Sequence, residues 1–426
     1  MAKRSLRAPA SKNIKYKLVT CEFLFFLTVI VISFFVLYSK NFINMDDNLI
    51  FSSDEEDYLP PANGPRRQAL VRERMDLFNM WNETQFFMRF RLRKESVLDL
   101  LGKIEHLIRT RTTRNNAIPP LHRLLLTLRF YATGCFLIAC GDFIGVSKSA
   151  SATIVMEVTI AICSLRREYI KMPGPEEIPG VTELFYRMHR FPRVIGVVDG
   201  THIKMQSPGG NEAEVFRNRK QYFSKNVQMV VGPTLKIFDV VTGYAGSVHD
   251  QTIFDQSLIA IQFENGVFGN KLLLGDAGYE CRPYIVTPLP RVTSPEENLY
   301  NESLIRTRVT VERCFGVLKR RFPILSIGIR VSLATMEKAD AYIIACAILH
   351  NIACINRDGD PPVDPDVQGL QGADFEDEGE EVDEMHVPGV NVNERNERYR
   401  VRRHQLDEYC LLTWLSPFGT LLHTMI

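Results

Sequence analysis

Two short apolar runs, each ending in an aspartate close to a glycine, stand out in the hydrophobic pattern of the chain. The first leads through Val197 and Val198 to Asp199, and the second, Leu272–Leu274, leads to Asp276. Short runs of Val, Ile and Leu bounded by glycine predict buried β-strands. Because ligands bind beyond the carboxyl ends of strands in α/β folds, both aspartates are candidate ligands for a divalent cation such as Mg²⁺. Each alone could instead cap a helix or a turn.

A third carboxylate lies on a predicted helix further along the chain. Glu312 follows Arg308 by four residues and precedes Lys319 by seven, at the border of an apolar stripe. An acid on this basic, partly buried face could join the two aspartates at a metal and still face phosphate. The alternative is a surface salt bridge between Glu312 and Arg308, which contributes a few tenths of a kcal/mol. The stripe consists of Val311, Phe315, Leu318 and Phe322, and Pro323 fits the helix end.

Three motifs in this order resemble the catalytic signature of PIF/Harbinger DDE transposases and of the nucleases domesticated from them. They are Asp199-Gly200-Thr201-His202, Gly275-Asp276-Ala277-Gly278-Tyr279 and Val311-Glu312-Arg313-Cys314-Phe315-Gly316. Between Asp276 and Glu312 lie 35 residues, a spacing typical of such enzymes. The resemblance covers about residues 70–355. Within this range, three further segments also match the family: Asn218–Gln228, Gly246–Asp250 and Leu349–Asn351.

The resemblance implies an α/β fold with an RNase H-like catalytic core, in which a mixed sheet is flanked by helices. It implies that Asp199, Asp276 and Glu312 bind two Mg²⁺ or Mn²⁺ ions, which activate water for in-line attack on a DNA phosphate and stabilise the leaving 3′ oxygen. The expected function is a metal-dependent DNA endonuclease, with or without strand transfer by the freed 3′-OH. The alternative is a catalytically silent relative that binds DNA or a partner, with or without a membrane anchor.

Basic residues near the predicted site could hold the DNA backbone. Lysine and arginine neutralise phosphates, and interleaved aromatic residues can stack on unpaired bases. A solvated basic turn is the alternative for the group that precedes the second strand. The predicted nucleic-acid-binding residues are Arg219, Lys220 and Lys225 in that group, and Arg308, Lys319 and Arg320 on the predicted helix.

Two further polar residues adjoin predicted strands, and one lies in an apolar helix. His202 could orient a carboxylate or touch DNA, although a histidine at a strand end is more often structural. Asp250 competes with Asp276 as a metal ligand, but N-capping of a following helix would also explain it. In an RNase H-like sheet the second aspartate ends the fourth strand, which favours Asp276 and leaves Asp250 to support the ligands. His350 is predicted to be a satisfied core residue.

The region of residues 70–175 is predicted to be helical and to precede a nuclease domain at residues 190–356. A strong helix is followed by Gly145, by Ser147 as an N-cap and by a second helix, an order that resembles a helix-turn-helix. Lys148, Ser149 and Ser151 would then lie near the N-terminus of a recognition helix. The alternative is a helical region that only packs on the catalytic core.

The N-terminal residues carry a signal that conflicts with a genomic enzyme. Residues 1–17 form a basic tail, residues 18–38 are almost all apolar and long enough for a transmembrane segment or signal anchor, and residues 39–69 form a linker. With the basic flank in the cytoplasm, the catalytic region would lie away from DNA. We therefore expect a nuclear protein, with the cytoplasm as a second compartment, or a single-pass membrane protein if residues 18–38 span a bilayer.

Composition changes this picture in only a few respects. The net charge of +1 over 426 residues hides local clusters of both signs, so total charge says little about nucleic acid. The nine cysteines include no Cys-x-x-Cys pair, which argues against a zinc ribbon or a disulfide framework. Residues 357–393 are predicted to be an acidic disordered segment, and residues 394–426 a basic C-terminal helix.

Besides DNA, the resemblance implies a separate Myb/SANT-like DNA-binding protein that supplies targeting or nuclear import. No Myb-like tryptophan repeat is present in this chain, which has only Trp81 and Trp414. A homo-oligomer is a further expected partner.

Overall fold

The computed structural model describes residues 75–110, 117–210 and 212–361. All of them belong to one compact unit, Val71–Ile426. The basic tail, the apolar segment 18–38, the linker, and nearly all of the acidic and basic C-terminal segments lie outside the described residues.

A helical region leads into the sheet, and its last helix extends to His189, beyond the predicted boundary at residue 175. Asn82 begins its first helix with a reciprocal capping box that involves Gln85, which satisfies two otherwise unpaired N–H groups. The helices are α1 (Glu83–Phe90), α2 (Lys94–Ile108), α3 (Pro120–Thr133), α4 (Leu137–Ile144), α5 (Lys148–Cys163), α6 (Arg166–Tyr169) and α7 (Ile178–His189).

Helices α4 and α5 form a helix-turn-helix geometry, but the helix before the turn is α4 and not α3, the strong helix on which the prediction rested. They meet at 93°, Gly145 ends α4 in the left-handed region, and the Ser147 hydroxyl accepts the N–H of Ala150 to cap α5. Lys148 and Ser149 are exposed at the start of α5. Ser151 is buried, so it cannot contact a ligand from this helix end.

Five strands form a mixed sheet in the order β3-β2-β1-β4-β5. The first three are antiparallel neighbours, whereas β4 and β5 continue the sheet parallel to β1. Strands β2 and β3 lie on either side of Gly232 and form an antiparallel hairpin. The strands are β1 (Val194–Lys204), β2 (Ser224–Val231), β3 (Ile237–Ala245), β4 (Leu272–Leu274) and β5 (Ile285–Val286).

The helix predicted to carry Glu312 is the longest described. It ends at Arg321, two residues before Pro323, and its predicted stripe is buried. Ser294 and Glu297 form a capping box at its start. The helices after β3 are α8 (Asp250–Asp255), α9 (Leu258–Glu264), α10 (Pro295–Arg321), α11 (Ile324–Ile327) and α12 (Met336–Ile355).

The two faces of the sheet belong to two hydrophobic cores, because successive side chains of β1 point to opposite faces. The larger core joins Val197 of β1 with helices α1 to α5, α10 and α12. The smaller core joins Val198 with Phe254 of α8 and Phe263 of α9. The helical region therefore shares one core with the catalytic sheet.

Helix α12 is apolar because it is buried in the protein. Within the described ranges, the stretch Leu333–Ile355 is long and apolar enough to cross a membrane, and 67% of its most apolar window is buried. The bent pair α4 and α5 passes the same test only if both helices count as one span. His350 is fully buried on α12, and its Nε2 lies 2.8 Å from the carbonyl oxygen of Leu235. The prediction of a core histidine is confirmed, although only Nε2 is satisfied, because Nδ1 has no hydrogen-bond partner among the described residues.

Candidate active site

Asp199 and Asp276 occupy equivalent positions on neighbouring strands. Val197 of β1 pairs with Leu274 of β4 in parallel register, and each aspartate follows its paired residue by two positions. Because β4 ends at Leu274, Asp276 lies in the loop beyond the carboxyl end of that strand. Its Oδ1 accepts the N–H of Gly278 at 3.0 Å, which fixes the carboxylate at the sheet edge.

Asp250 approaches this edge from the other face of the sheet. It is the first residue of α8, and its Oδ1 accepts a hydrogen bond of 2.7 Å from the Asn226 side chain. Its carboxylate packs against the Cα of Gly200. The N-cap of α8 is His249, so the N-capping explanation of Asp250 is wrong. Its side chain is directed at the sheet instead.

The three aspartates lie within electrostatic reach of one another. Burial raises the pKa of Asp199 to about 7; the Arg308 charge opposes this rise, and the charges of Asp276 and Asp250 add to it. Burial also raises the pKa of Asp250. The hydrogen bond from Asn226 partly opposes this rise, and the negative charge of Asp276 adds to it. The resulting site is half-buried and strongly acidic.

Arg308 supplies a positive charge to this acidic site from α10. Its Nη2 donates to Asp199 Oδ2 at 2.9 Å, and the two side chains are only 15% and 14% exposed. The other oxygen, Asp199 Oδ1, accepts the N–H of Gly200 at 2.8 Å. The alternative of a surface salt bridge between Arg308 and Glu312 is therefore wrong, because Arg308 pairs across to β1.

Glu312 remains apart from the aspartates in this structure. It lies one helical turn after Arg308 on α10 and is exposed, and it has no hydrogen bond or ion pair with any described residue. No three His, Cys, Asp or Glu side chains of the described segments are close enough to hold a metal ion together. The structure therefore places Asp199, Asp276 and Asp250 within electrostatic reach of one another without forming a complete ligand cluster, and it leaves Glu312 further away.

The donor set at the sheet edge nevertheless suits a hard divalent cation. Carboxylate oxygens are the ligands that Mg²⁺ and Mn²⁺ prefer. Arg308 offsets one of the three negative charges, and a bound cation would offset the others. Buried polar atoms around the aspartates also lack hydrogen-bond partners in the described part of the chain, namely Asn226 Oδ1, Gln228 Nε2 and Arg308 Nε. These atoms are available to a bound ligand or its water.

Asn226, Gln228 and Tyr279 belong to the site but were not identified from the sequence as site residues. Gln228 pairs with Gly200 across β1 and β2, and its Oε1 accepts a 3.4 Å hydrogen bond from the Tyr279 hydroxyl. The signal available in the sequence was the alternation of Asn226 and Gln228 with apolar residues along β2. In a fully buried strand, such alternation marks polar side chains directed to one face.

His202 lies on the Gly200 face of β1, the face that Asp250 covers. It is half-buried, and its Nδ1 lies 3.1 Å from the Ser224 hydroxyl. This contact joins β1 to β2. A role for His202 toward the carboxylates or DNA stays a prediction.

Arg219, Lys220 and Arg320 are the predicted nucleic-acid-binding residues that remain accessible, whereas Arg308 is largely buried against Asp199. Arg219 and Lys220 are exposed in the loop before β2, and Arg320 is half-buried on α10. Arg219 Nη2 lies 2.7 Å from His249 Nδ1. Because His249 directly precedes Asp250, this loop adjoins the acidic site.

The predictions for Lys225 and Lys319 are corrected by their burial. Lys225 is 2% exposed and forms an ion pair with Asp340, and Lys319 is 5% exposed. An interior lysine cannot reach the backbone of a bound duplex. Both residues stabilise the fold and are left out of the proposed DNA surface.

Comparison with known proteins agrees with this geometry. Residues 198–351 match the DDE superfamily endonuclease family. Human HARBI1, described as a candidate nuclease, is 33% identical over 243 residues, which cover 57% of this chain and 69% of HARBI1. Xenopus laevis HARBI1 is 31% identical over 259 residues (60% and 73%), and the Arabidopsis thaliana protein ALP1-like is 24% identical over 245 residues (54% and 59%). No solved structure matches.

The mixed sheet, the paired aspartates and the family match together define a DDE superfamily endonuclease with an RNase H-like core. Within that class, the chain belongs to the family of Harbinger transposase-derived nucleases that includes HARBI1. The fold class and the nuclease class expected from the three motifs are confirmed.

Proposed function

We propose that this nuclease hydrolyses phosphodiester bonds of DNA in a reaction that depends on Mg²⁺ or Mn²⁺. The observation that carries the proposal is the position of Asp199 and Asp276, each two residues beyond the paired Val197 and Leu274 of β1 and β4. Asp199, Asp276 and Glu312 would hold the metal, and Asp250 would join or support them. A bound divalent ion would supply Lewis acidity and an activated water at the phosphate.

The protein's own basic residues would bind and orient the DNA backbone. Arg219 and Lys220 are exposed beside the acidic site, and Arg320 lies on the helix that carries Glu312. Contacts from arginine and lysine to phosphate position a duplex without reading its sequence. We expect the DNA affinity to fall as the salt concentration rises. Replacement of any one of these residues by glutamine should reduce this salt dependence.

The direct test is nicking of supercoiled plasmid by the purified protein with Mg²⁺ or Mn²⁺, beside Asp276→Asn and Glu312→Gln. Both variants remove a charged ligand and nearly preserve shape. Glu302→Gln is the matched control, because Glu302 is an exposed acid on the same helix, paired locally with Arg306. We expect nicking by the parent and the control and its loss in both variants.

Three other results would change the proposal. Nicking that survives Asp276→Asn and Glu312→Gln would show a wrong site or a contaminant. A folded parent that binds DNA without cutting, even with a Myb/SANT-like protein added, would favour the catalytically silent alternative. Covalent joining of a labelled DNA 3′ end to a second duplex would add strand transfer to the activity.

We also propose a nuclear location, with the cytoplasm as a second compartment, and a Myb/SANT-like partner. Both follow from the DNA substrate and the family resemblance. Fractionation of the full-length protein beside a chain beginning at Leu70 tests the alternative that residues 18–38 anchor the protein in a membrane. Light scattering with and without DNA tests the expected homo-oligomer.

A further inference from the structure

We infer that Arg308 is the resting counterion of Asp199, and that binding of a DNA phosphate and binding of the metal are coupled through this arginine. The inference deepens the proposed function and rests on it, since it takes Asp199 as a metal ligand. Arg308 acts as a positioning residue that alternates between the Asp199 carboxylate and the DNA backbone.

The ion pair engages the Asp199 oxygen that accepts no backbone hydrogen bond. Asp199 Oδ1 already accepts the N–H of Gly200, and Oδ2 accepts Arg308 Nη2 at 2.9 Å. A divalent ion at Oδ2 would face the guanidinium at close range inside a largely buried site, where like charges repel strongly. Tight metal binding therefore favours departure of Arg308 from Asp199.

The arginine has unused hydrogen-bonding capacity for a second partner. Its Nε is buried and has no hydrogen-bond partner in the described structure. A guanidinium binds a phosphate through two parallel N–H groups, so a backbone phosphate above the site offers Arg308 more than the single bond that Asp199 provides. DNA would thus draw Arg308 away from the carboxylate that the metal needs.

The position of Glu312 fits this resting state. One turn beyond Arg308, Glu312 is exposed and unpaired with any described residue, while Arg308 is held at Asp199. The same helix face therefore presents a cation to the aspartates in the absence of DNA, and its acid stays apart. Moving Arg308 to a phosphate removes the charge that opposes assembly of Asp199, Asp276 and Glu312 around a metal.

Coupling of this kind is reciprocal. If DNA raises the affinity of the protein for metal, metal must raise the affinity for DNA by the same factor. A nuclease built in this way would hold metal poorly until a phosphate backbone is in place.

The first experiment measures Mn²⁺ affinity of the DNA-free protein by calorimetry, for the parent, Arg308→Gln and Arg308→Lys. We expect Arg308→Gln to bind Mn²⁺ about tenfold more tightly than the parent, whereas Arg308→Lys, which keeps the charge, stays close to it. Arg306→Gln is the matched control, since Arg306 is an exposed arginine on the same helix that pairs with Glu302. It should leave the affinity unchanged.

Each outcome of this titration decides the inference. A Mn²⁺ site that Asp276→Asn abolishes and that Arg308→Gln leaves unchanged or weakens would overturn the coupling and preserve the metal site. Absence of a Mn²⁺ site in the parent and in Arg308→Gln would overturn the coupling together with the metal dependence. A gain in affinity cannot arise from misfolding, and thermal unfolding of each variant checks that it is folded.

A second experiment uses the parent protein and so does not depend on how well Arg308→Gln folds. Fluorescence anisotropy of a labelled duplex is measured with and without Ca²⁺ as a non-cleaving ion at constant ionic strength. The same measurement on Asp276→Asn, which lacks a metal ligand, gives the effect of Ca²⁺ ions that bind to the DNA alone. We expect Ca²⁺ to strengthen DNA binding about tenfold in the parent relative to this background. If Ca²⁺ changes the DNA affinity of the parent no more than that of Asp276→Asn, the inference is overturned.

Discussion

The Asp250 carboxylate lies directly against the Cα of Gly200, with its Cγ only 2.6 Å from the point where a Cβ would be. Gly200 adjoins Asp199 on β1, and Asp250 also accepts a hydrogen bond from Asn226. The absence of a side chain at position 200 is therefore what allows a third carboxylate to approach the sheet edge.

We expect Gly200→Ala to push the Asp250 carboxylate away from Asn226. Because a short side chain can shift, the free energy of unfolding should fall by about 1 to 3 kcal/mol, as is usual for overpacked sites. Plasmid nicking should fall with it. Gly102→Ala is the control, since Gly102 lies inside α2 and a Cβ added there would meet no atom within 4 Å. This control should gain about 0.5 to 1 kcal/mol in the free energy of unfolding. Equal unfolding temperatures for parent and Gly200→Ala would contradict the expectation.

The stability of the metal-free protein should depend on the ionisation of Asp199. Its pKa is raised to about 7 from the ordinary value of 3.8, so between these values the folded state binds more protons than the unfolded state. Stability should then fall as pH rises through this window and level off above about pH 7. Asp199→Asn removes the contribution of Asp199 to this pH dependence, so the free energy of unfolding of the parent should fall relative to that of the variant as pH rises from 5 to 8.

Urea unfolding in EDTA from pH 5 to pH 8 measures this dependence for both proteins. Added Mn²⁺ should stabilise the parent at pH 8 and leave Asp199→Asn unchanged, because a metal that binds only the folded state raises stability by mass action. Parent stability that rises with pH relative to Asp199→Asn would contradict the assigned direction of the pKa shift.

Local patterns in the sequence were sufficient to predict strands β1 and β4 and the position of two candidate metal-binding carboxylates. The runs before Asp199 and Asp276 predict buried strands because their apolar character is continuous, and the register of β1 and β4 then brings the two aspartates together. The buried stripe of α10 and its end before Pro323 were also predictable, since helical period and proline are local signals.

Contacts between distant residues were not predictable in the same way. Arg308 looked available to Glu312 four residues away, yet it pairs with Asp199, 109 residues away along the chain. Lys225 looked like part of an exposed basic run, yet it pairs with Asp340, 115 residues away. A single sequence shows charge at a position, whereas burial and the choice of partner depend on how elements pack.

Lys225 and Lys220 should respond differently to replacement by methionine. Lys225→Met removes the buried lysine that pairs with the half-buried Asp340, and we expect a loss of about 3 kcal/mol in the free energy of unfolding. The DNA affinity of the protein that remains folded should not change. Lys220 is exposed, so Lys220→Met should keep the unfolding free energy and weaken DNA binding. Chemical denaturation measures the effect on stability, and fluorescence anisotropy at two salt concentrations measures the effect on DNA binding. If folded Lys225→Met bound DNA more weakly than the parent, Lys225 would belong to the DNA surface after all.

Cys135 should be the most reactive thiol of the described chain at neutral pH. It lies between α3 and α4 with its Sγ 2.8 Å from that of Cys140, and the hydrogen bond between them lowers the pKa of Cys135 to about 6. Since the thiolate is the nucleophile, its alkylation by iodoacetamide should rise with pH around a midpoint of about 6.

Cys140→Ala removes the largest cause of the lowered Cys135 pKa and should move the midpoint upward. Cys163 is the control, because burial raises its pKa to about 12 and it should resist alkylation until the protein unfolds. Mass spectrometry of the labelled peptides gives both midpoints, and a Cys135 midpoint above pH 8 in the parent would exclude the hydrogen-bonded thiolate.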